Sequence, residues 1–391
     1  MTDFFDKALL PAGFSDVLAP DADFEALVLN RLLRCFSGHG YDRVEPPLIE
    51  FEDGLLTGIG AGLAEQTFRL MDPESQRMMA VRADITPQVA RIAQARLAKA
   101  PRPLRLSYAG QVLRVRGSQL RPERQFTQVG AELIGAAGPA ADAEVIAMAA
   151  GALIELGVAE LSCDLSLPAL VPAVSGDADP SLQAKLRQAL DRKDAAAVAG
   201  LGGELGEALT QTLAAMLSAA GPAAETLDAL GGLGLEGDAE DGRKLLADVV
   251  DRVRAARPEL KLTIDPVENR GFEYHTGVTF TFFAKGVRGE LGSGGRYAAN
   301  DDDANGGEPA TGFTLFMDTV LRALPAPVTA SRVFLPAGTP VEEAAKRRAE
   351  GWIAVAGLDQ GADAETEAKR LACSHLLDGG KIKEIGKKKK G

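Results

Sequence analysis

At 391 residues, with 46% hydrophobic and 25% charged residues, the chain is too long for one ordinary core and fits a soluble globular protein of two or three domains. A net charge of −12 argues against a broad electropositive face for nucleic acid, and no run approaches the roughly 18 apolar residues of a membrane helix. The acidic start Met1-Thr2-Asp3 lacks a basic n-region, and Cys35, Cys163 and Cys373 lie too far apart for a metal or disulfide framework, so a cytoplasmic protein without metal or cofactor is expected.

Asp21 and Asp23 are good amino-terminal caps, and Phe24, Leu27, Val28, Leu32, Cys35 and Phe36 recur behind them at helical spacing, predicting a helix with one apolar face. Gly38-His39-Gly40 ends it, with His39 as a capping or surface residue. Tyr41 to Glu45 reads as a strand stopped by Pro46-Pro47, since proline donates no ladder hydrogen bond. Further strands are predicted at Met78 to Arg82, Leu104 to Ala109, Gln111 to Val115 and Phe126 to Ile134. A helix follows Ile85-Thr86-Pro87-Gln88, with Val89, Ile92, Ala93 and Leu97 on one side, and the apolar run Val145 to Ile154 reads as a buried helix.

From about residue 169 to 258 the composition turns to Ala, Leu, Gly and charge, with Leu182-Leu186-Leu190 and Leu245-Leu246-Val249-Val253 at helical spacing. A helical insertion within a sheet domain is expected there. Strand signals return at Leu260 to Ile264, Val278 to Ala284 and Gly312 to Phe316. Pro325-Ala326-Pro327 marks a linker, which separates a domain of residues 1–325 from a small α/β unit at 331–391. In that unit, strands at Val333 to Leu335, Trp352 to Leu358 and Ser374 to Leu377 alternate with helices at Val341 to Glu350 and Ala364 to Leu371, a βαβαβ order that needs a parallel sheet. His375 reads as a surface residue, Lys387 to Lys390 as a solvated tail, and Asp301-Asp302-Asp303 as a solvated loop without calcium-site spacing. The expected fold class is α+β.

The polar loop Gly117 to Glu123 joins two strand runs, so an antiparallel hairpin is expected. Residues two apart share a strand face, which puts Gln128, Gly130 and Glu132 together, and Val112, Arg114 and Arg116 together on the neighbouring strand. Carboxylate, amide and guanidinium converging over a glycine suit a small zwitterion. A solvated sheet face with an ordinary ion pair fits the same alternation.

The segment resembles motif 2 of class II histidyl-tRNA synthetases, through Leu113-Arg114-Val115-Arg116 and then Arg124-Gln125-Phe126-Thr127-Gln128-Val129-Gly130-Ala131-Glu132. Gly40-Tyr41-Asp42-Arg43-Val44-Glu45-Pro46-Pro47 is similar to motif 1, the helix, strand and proline of the class II dimer interface. Val81-Arg82-Ala83-Asp84-Ile85-Thr86 resembles the family's Leu-Arg-Pro-Glu-x-Thr element, whose acidic residue and threonine hold the amino group of the bound amino acid. Arg270-Gly271-Phe272-Glu273-Tyr274-His275 resembles the histidine-specific Arg-Gly-Leu-Asp-Tyr-Tyr box, and Gly294-Gly295-Arg296-Tyr297 the Gly-Gly-Arg-Tyr strand beside it. The resemblance spans roughly Leu10 to Leu324. It implies a class II aminoacyl-tRNA synthetase-like antiparallel sheet flanked by helices. It also implies a histidine-like pocket lined by Asp84, Thr86, Arg114, Gln128, Glu132, Arg270, Tyr274, His275 and Tyr297, with His275 where the family has a second tyrosine.

Adenylation needs cations on the phosphates of ATP, and the family's motif 3, Gly-Phe-x-x-Gly-x-Glu-Arg, supplies one. The matching run Gly312 to Thr319 has Phe316 at the second glycine and Thr319 at the arginine, and Arg116 stands where the family has a glutamate near the adenine end of ATP. The carboxyl-terminal unit is also smaller than the family's anticodon-binding domain. In these departures the chain resembles the synthetase-like regulatory subunits of ATP phosphoribosyltransferase. That resemblance implies no catalytic residues in this chain and a short-form catalytic subunit of ATP phosphoribosyltransferase as partner, in a hetero-octamer with four copies of each. It further implies self-association as a class II-type dimer, and feedback inhibition by histidine bound in this pocket or at the subunit interface. Neither tRNA nor a membrane is an expected partner. The alternatives are an active or relict histidyl-tRNA synthetase and another amino-acid-sensing paralogue.

Overall fold

The computed structural model describes residues 9–119, 121–176, 179–268, 274–299, 307–327 and 330–385. Arg270, Asp301-Asp302-Asp303 and the Lys387–Lys390 tail lie outside the described residues. Helix α1 (Asp21–Gly38) carries Asp21 and Asp23 in its first turn, with Pro20 at the cap position and no side-chain cap. The two carboxylates therefore act on the positive end of the helix dipole and do not close its free N–H groups, which corrects the capping role expected of them. Val28, Leu32 and Phe36 are buried and Phe24 and Cys35 pack against the same core, whereas Leu27, expected on that face, is 57% exposed. His39 follows the helix; its backbone N–H donates to Cys35 O and Phe36 O, and its Nδ1 lies 2.9 Å from Cys35 O.

Only Asp42–Arg43 of the expected Tyr41 strand joins a ladder, as β1, parallel to β5 (Leu104–Leu113). Strands β2 (Ile49–Phe51), β3 (Arg69–Met71) and β4 (Met78–Val81) form a separate three-stranded sheet. Helix α2 (Thr86–Ala95) follows. Strand β5 runs unbroken through Gly110, where two strands were expected, and pairs antiparallel with β6 (Gln125–Ile134) from Leu104↔Ile134 to Leu113↔Gln125. Helix α3 (Pro139–Leu156) is the buried apolar run, and β7 (Leu161–Ser166) comes after it. Short helices then fill Leu170–Ser175 to Ala223–Gly231, interrupted by β8 (Gly221–Pro222), and the stretch closes with α4 (Gly237–Ala256). Strands β9 (Lys261–Ile264), β10 (His275–Ala284), β11 (Gly292–Ala298) and β12 (Pro309–Phe316) and helix α5 (Met317–Ala323) complete the first of two compact units, residues 1–325.

The main sheet has the order β1-β5-β6-β12-β11-β10-β7-β9-β8. Its centre, β5 to β7, is antiparallel throughout, and parallel pairs occur only at β1–β5 and β7–β9. Alternation along these strands sorts the side chains. Val129, Ala131, Leu133, Phe313, Leu315, Phe280 and Phe282 join the core that includes Val28, Leu32 and Phe36 of α1 and Val145, Ile146 and Leu153 of α3. Phe36 meets Phe313 edge to face at 5.4 Å. The other face carries a second apolar cluster, with Leu104, Leu106, Phe126 and Ile134 packed under Ile85 and Val89, and among it a group of glycines and polar side chains.

In the second unit, residues 326–391, the sheet order is β14-β13-β15-β16, from β13 (Arg332–Leu335), β14 (Ile353–Ala356), β15 (His375–Asp378) and β16 (Lys381–Glu384). The first three strands are parallel, while β16 returns antiparallel through the Gly379-Gly380 turn, a strand that the βαβαβ reading lacked. Both turn glycines have positive φ, which glycine alone adopts without strain. Helices α6 (Val341–Ala349) and α7 (Ala364–Arg370) make the crossovers. His375 meets Trp352 edge to face with ring centres 4.7 Å apart.

Candidate functional site

The polar face of the main sheet is built on register. Glu132 stands opposite Leu106 and Gly312, Gly130 opposite Tyr108 and Thr314, Gln128 opposite Gly110 and Phe316, and Gly312 in turn opposite Gly295. Four strands thus bring Gly110, Gly130, Gly312 and Gly295 to one surface, where side chains from their neighbours lie down. A Cβ at Gly312 would come within 1.7 Å of Glu132 Oε2, and one at Gly130 within 2.5 Å of the Tyr108 hydroxyl. The space over Gly130 is therefore filled by Tyr108. It is not the open gap between two polar groups that the alternation led us to expect.

Glu132 is 1% exposed and has hydroxyls around it. Oε2 accepts from Tyr297 at 2.9 Å, and Oε1 accepts from Thr86 at 3.2 Å and Tyr108 at 3.4 Å. Burial pushes its carboxyl up to about 8, and the charge of Asp84 adds to this; hydrogen bonds from Tyr297, Thr86 and Tyr108 oppose the shift without cancelling it. Tyr108 and Tyr297 are held well above the ordinary phenol range, first by burial and then by the Glu132 charge, and so remain donors.

Asp84 lies at the start of α2. Its Oδ1 accepts the Thr86 N–H at 2.9 Å, and its Oδ2 accepts from Gln128 Nε2 at 2.8 Å. Gln128, fully buried, also accepts the Ile85 N–H on Oε1 at 3.1 Å. The amide thus fixes the turn that carries Asp84 and Thr86. A cavity of only about 20 Å³ remains, lined by Thr86, Glu132, Tyr274, His275, Tyr297 and the glycines of β11 and β12, room for about one water molecule and far below the roughly 300 to 1,000 Å³ of drug-sized sites. Tyr274 is 44% exposed and packs on His275 with ring centres 4.0 Å apart.

Eight of the nine candidate residues are described, and seven of them gather at one site: Asp84, Thr86, Gln128, Glu132, Tyr274, His275 and Tyr297. Arg114 stands at its margin. Strand β5 ends at Leu113, so Arg114 and Arg116 leave the sheet and do not share a face opposite Glu132. The Arg114 guanidinium lies 5.2 Å from the Phe126 ring centre, with one long bond from Nε to Ala83 O at 3.5 Å. Burial pulls its pKa down and the charge of Asp84 supports it, which places the two within electrostatic reach. Arg270 lies outside the described residues.

Tyr108 and Thr314 escaped the sequence reading, although they donate and accept at the centre of the site, 2.7 Å apart. Tyr108 shares a strand face with Leu104 and Leu106, so its phase gives no polar signal. Arg296, inside a recognised motif, turns away from the pocket. It pairs with buried Asp142 through Nη2 at 2.8 Å and Nε at 3.1 Å and donates to the carbonyls of Ala136 and Gly138, tying β11 to the start of α3.

The histidyl-tRNA synthetase family profile matches residues 13–320. The ATP phosphoribosyltransferase regulatory subunit of Rhodospirillum centenum is 57% identical over 380 residues, covering 97% of this chain and 96% of that protein. Its counterpart in Paramagnetospirillum magneticum is 56% identical over 387 residues, covering 98% of this chain and 100% of the other. Among solved structures, an ATP phosphoribosyltransferase regulatory subunit/histidyl-tRNA synthetase from Bacillus halodurans superposes with a TM-score of 0.81 at 24% identity, over 92% of this chain and 96% of that one. Histidyl-tRNA synthetase from Nostoc follows with 0.76 at 17% identity, over 95% and 91%. The mostly antiparallel sheet flanked by helices is thus the class II synthetase-like α+β fold, and the chain belongs to the family of ATP phosphoribosyltransferase regulatory subunits, within the wider histidyl-tRNA synthetase family.

Proposed function

We propose that this chain is the non-catalytic subunit of an ATP phosphoribosyltransferase, joining a short-form catalytic subunit in the cytoplasm for the first step of histidine synthesis, and that it carries the feedback site for histidine. In this reading Asp84, Thr86 and Gln128 receive the amino group, Arg114 and Arg270 the carboxylate, and Glu132 with Tyr297, Tyr274 and His275 the side chain. What carries the reading is Glu132: a carboxyl group 1% exposed, held in its neutral form by burial, with hydroxyl partners but no cation bonded to it among the described residues, is placed to ionise when a cationic N–H donor from outside the chain reaches it. Aminoacylation is lost in the same reading, since Thr319 is buried and donates to Phe316 O at 3.0 Å, where the family pattern has an arginine for the phosphates. Two copies pair through the motif 1 region, and neither tRNA nor a membrane is engaged. No helix among the described residues is long and apolar enough to cross a membrane.

The test is phosphoribosyl-ATP formation by the short catalytic subunit, with and without this chain and with and without histidine. Activation that histidine reverses is the expected result, and Glu132→Gln should retain activation while losing most of the inhibition. No effect on rate or inhibition would sink the reading, and histidine-dependent ATP–pyrophosphate exchange would then favour a surviving synthetase.

A further inference from the structure

Next to Arg114 the chain holds a second buried polar cluster that the amino-acid pocket does not use. Arg121 leaves the β5–β6 loop on a tight turn, where the Ser118 N–H donates to Arg121 O at 2.6 Å and the Arg121 N–H donates to Ser118 Oγ at 3.0 Å. Its side chain is 10% exposed. The guanidinium lies 3.8 Å over the Phe316 ring and 5.0 Å from that of Phe126, and the two rings meet edge to face at 6.1 Å. Its Nε donates to Asp318 Oδ2 at 3.1 Å, and Nη1 comes within 4.0 Å of Glu290. Arg322 reaches the same Asp318 at 3.5 Å and Glu123 at 3.7 Å.

Two features of this cluster coincide with the motif 3 segment, where the chain departs from the synthetase pattern. Phe316 supplies the ring under Arg121 at a position where the pattern has glycine, and Asp318 supplies the carboxylate two residues on. A flat guanidinium on an aromatic face takes the surface on which a nucleobase would stack. Buried Arg121 is committed to Asp318, which takes it away from a phosphate, and Arg322 pairs more loosely with the same carboxylate.

We propose that this cluster is an internal latch, in which Arg121, laid on Phe316 and Phe126 and clamped by Asp318 and Glu290, fills the cleft that a purine nucleotide and its phosphates would enter. The chain then excludes ATP by occupying the cleft, beyond merely lacking an arginine at position 319. The latch rests on the reading that adenylation is lost, but it makes its own claim about which groups close the site. Removing Arg121 alone should not open the cleft to a nucleotide, because Asp318 and Glu290 would then face the phosphates unpaired. Removing the clamp should, because it releases arginines.

The experiment is calorimetric titration of the chain alone with magnesium ATP and, separately, magnesium pyrophosphate. The unmodified chain and Arg121→Ala are expected to show no saturable binding at millimolar ligand. The Asp318→Asn/Glu290→Gln pair is expected to bind both ligands roughly tenfold or more tightly, as one or two released charged hydrogen bonds allow. Asp318→Asn alone keeps an acceptor for Arg121 and serves as the milder arm should the pair fold poorly, with circular dichroism and Tm checking each variant. Saturable ATP binding by the unmodified chain as tight as by the variants overturns the latch, as does a folded clamp variant that binds no better. Neither outcome involves the catalytic subunit, so failure here is distinct from failure of the regulatory reading.

Discussion

Glu132 keeps its proton to about pH 8 because it is buried, with the Asp84 charge nearby and only neutral hydroxyls bonded to it. In the unfolded chain it loses that proton near 4.5, so the native state binds the extra proton between those values. Its contribution to stability is fully present below pH 4.5 and falls as pH rises to about 8, above which no more is lost. Glu132→Gln keeps acceptors for the hydroxyls and removes the titration. Its Tm relative to the natural chain should therefore rise between pH 5 and 8, by an amount reflecting on the order of a few kcal/mol. A constant difference across that range in scanning calorimetry would show that Glu132 does not titrate in it. Gly312 belongs to the same argument: a Cβ there would overlap the Glu132 carboxylate at 1.7 Å, with the Ala131 carbonyl 2.7 Å away on the other side. Gly312→Ala is expected to cost about 2 to 4 kcal/mol in urea unfolding, by overpacking. Most of this pocket was legible because Asp84, Thr86, Gln128 and Glu132 sit in short motifs whose spacing survives in the sequence. Tyr108 was not, since a tyrosine in phase with leucines carries no mark of a hydrogen-bonded role.

At the level of elements, alternation located β5 and β6 within a residue or two, but it could not say where β5 stops pairing. Gly110 looked like a break and is an interior strand residue, accepted because the Arg82 guanidinium fills the place of its missing side chain. Arg114 looked like a strand residue and is a loop residue, because β5 pairs only as far as Leu113 opposite Gln125. Strand β11 is nearly bare of the usual signal, with three glycines and a serine among seven residues, and its place follows from having to lie flat between β10 and β12. Helix α1 is the opposite case: its period is strong, and Val28, Leu32 and Phe36 with partly buried Phe24 and Cys35 pack on the core, Leu27 alone of that face staying exposed. Phe36 is fully buried against Phe313 of β12, so one ring couples the helix to the strand beneath the pocket. Phe36→Ala should cost about 3 to 5 kcal/mol in chemical denaturation. A loss under about 1 kcal/mol would mean that α1 is not anchored through this contact.

For the whole molecule, the main question is which surfaces remain for partners. The first compact unit ends at Pro325, and a chain ending there should fold and keep the histidine affinity proposed for the pocket, since every described pocket residue lies before it. Isothermal titration of that shorter chain checks this, and lost affinity with intact folding would implicate the second unit. The small sheet of the first unit offers the clearest open apolar face. Register sets Phe51 opposite Met79 and Met79 opposite Leu70, while Ile49 lies two residues along on the same face. Ile49, Phe51 and Leu70 are each 37% exposed. Ile49, Phe51 and Met79 border a groove of about 720 Å³ with Val44, Pro46 and Pro47, the very segment that resembles the class II dimer motif. An apolar face rimmed by Glu45, Arg91 and Arg96 has the make-up of a two-fold interface, with an apolar centre and a charged margin. Placing two carboxylates in this groove, as Ile49→Glu/Phe51→Glu, would bury unpaired charge on both sides of the two-fold axis, at a cost of several kcal/mol. Both residues are partly exposed in the single chain, so the fold should tolerate the change. Sedimentation velocity at micromolar concentration should find a dimer for the natural sequence and a monomer with near-unchanged Tm for the variant. A variant that stays dimeric would move the interface away from this sheet and leave its apolar face to the catalytic partner.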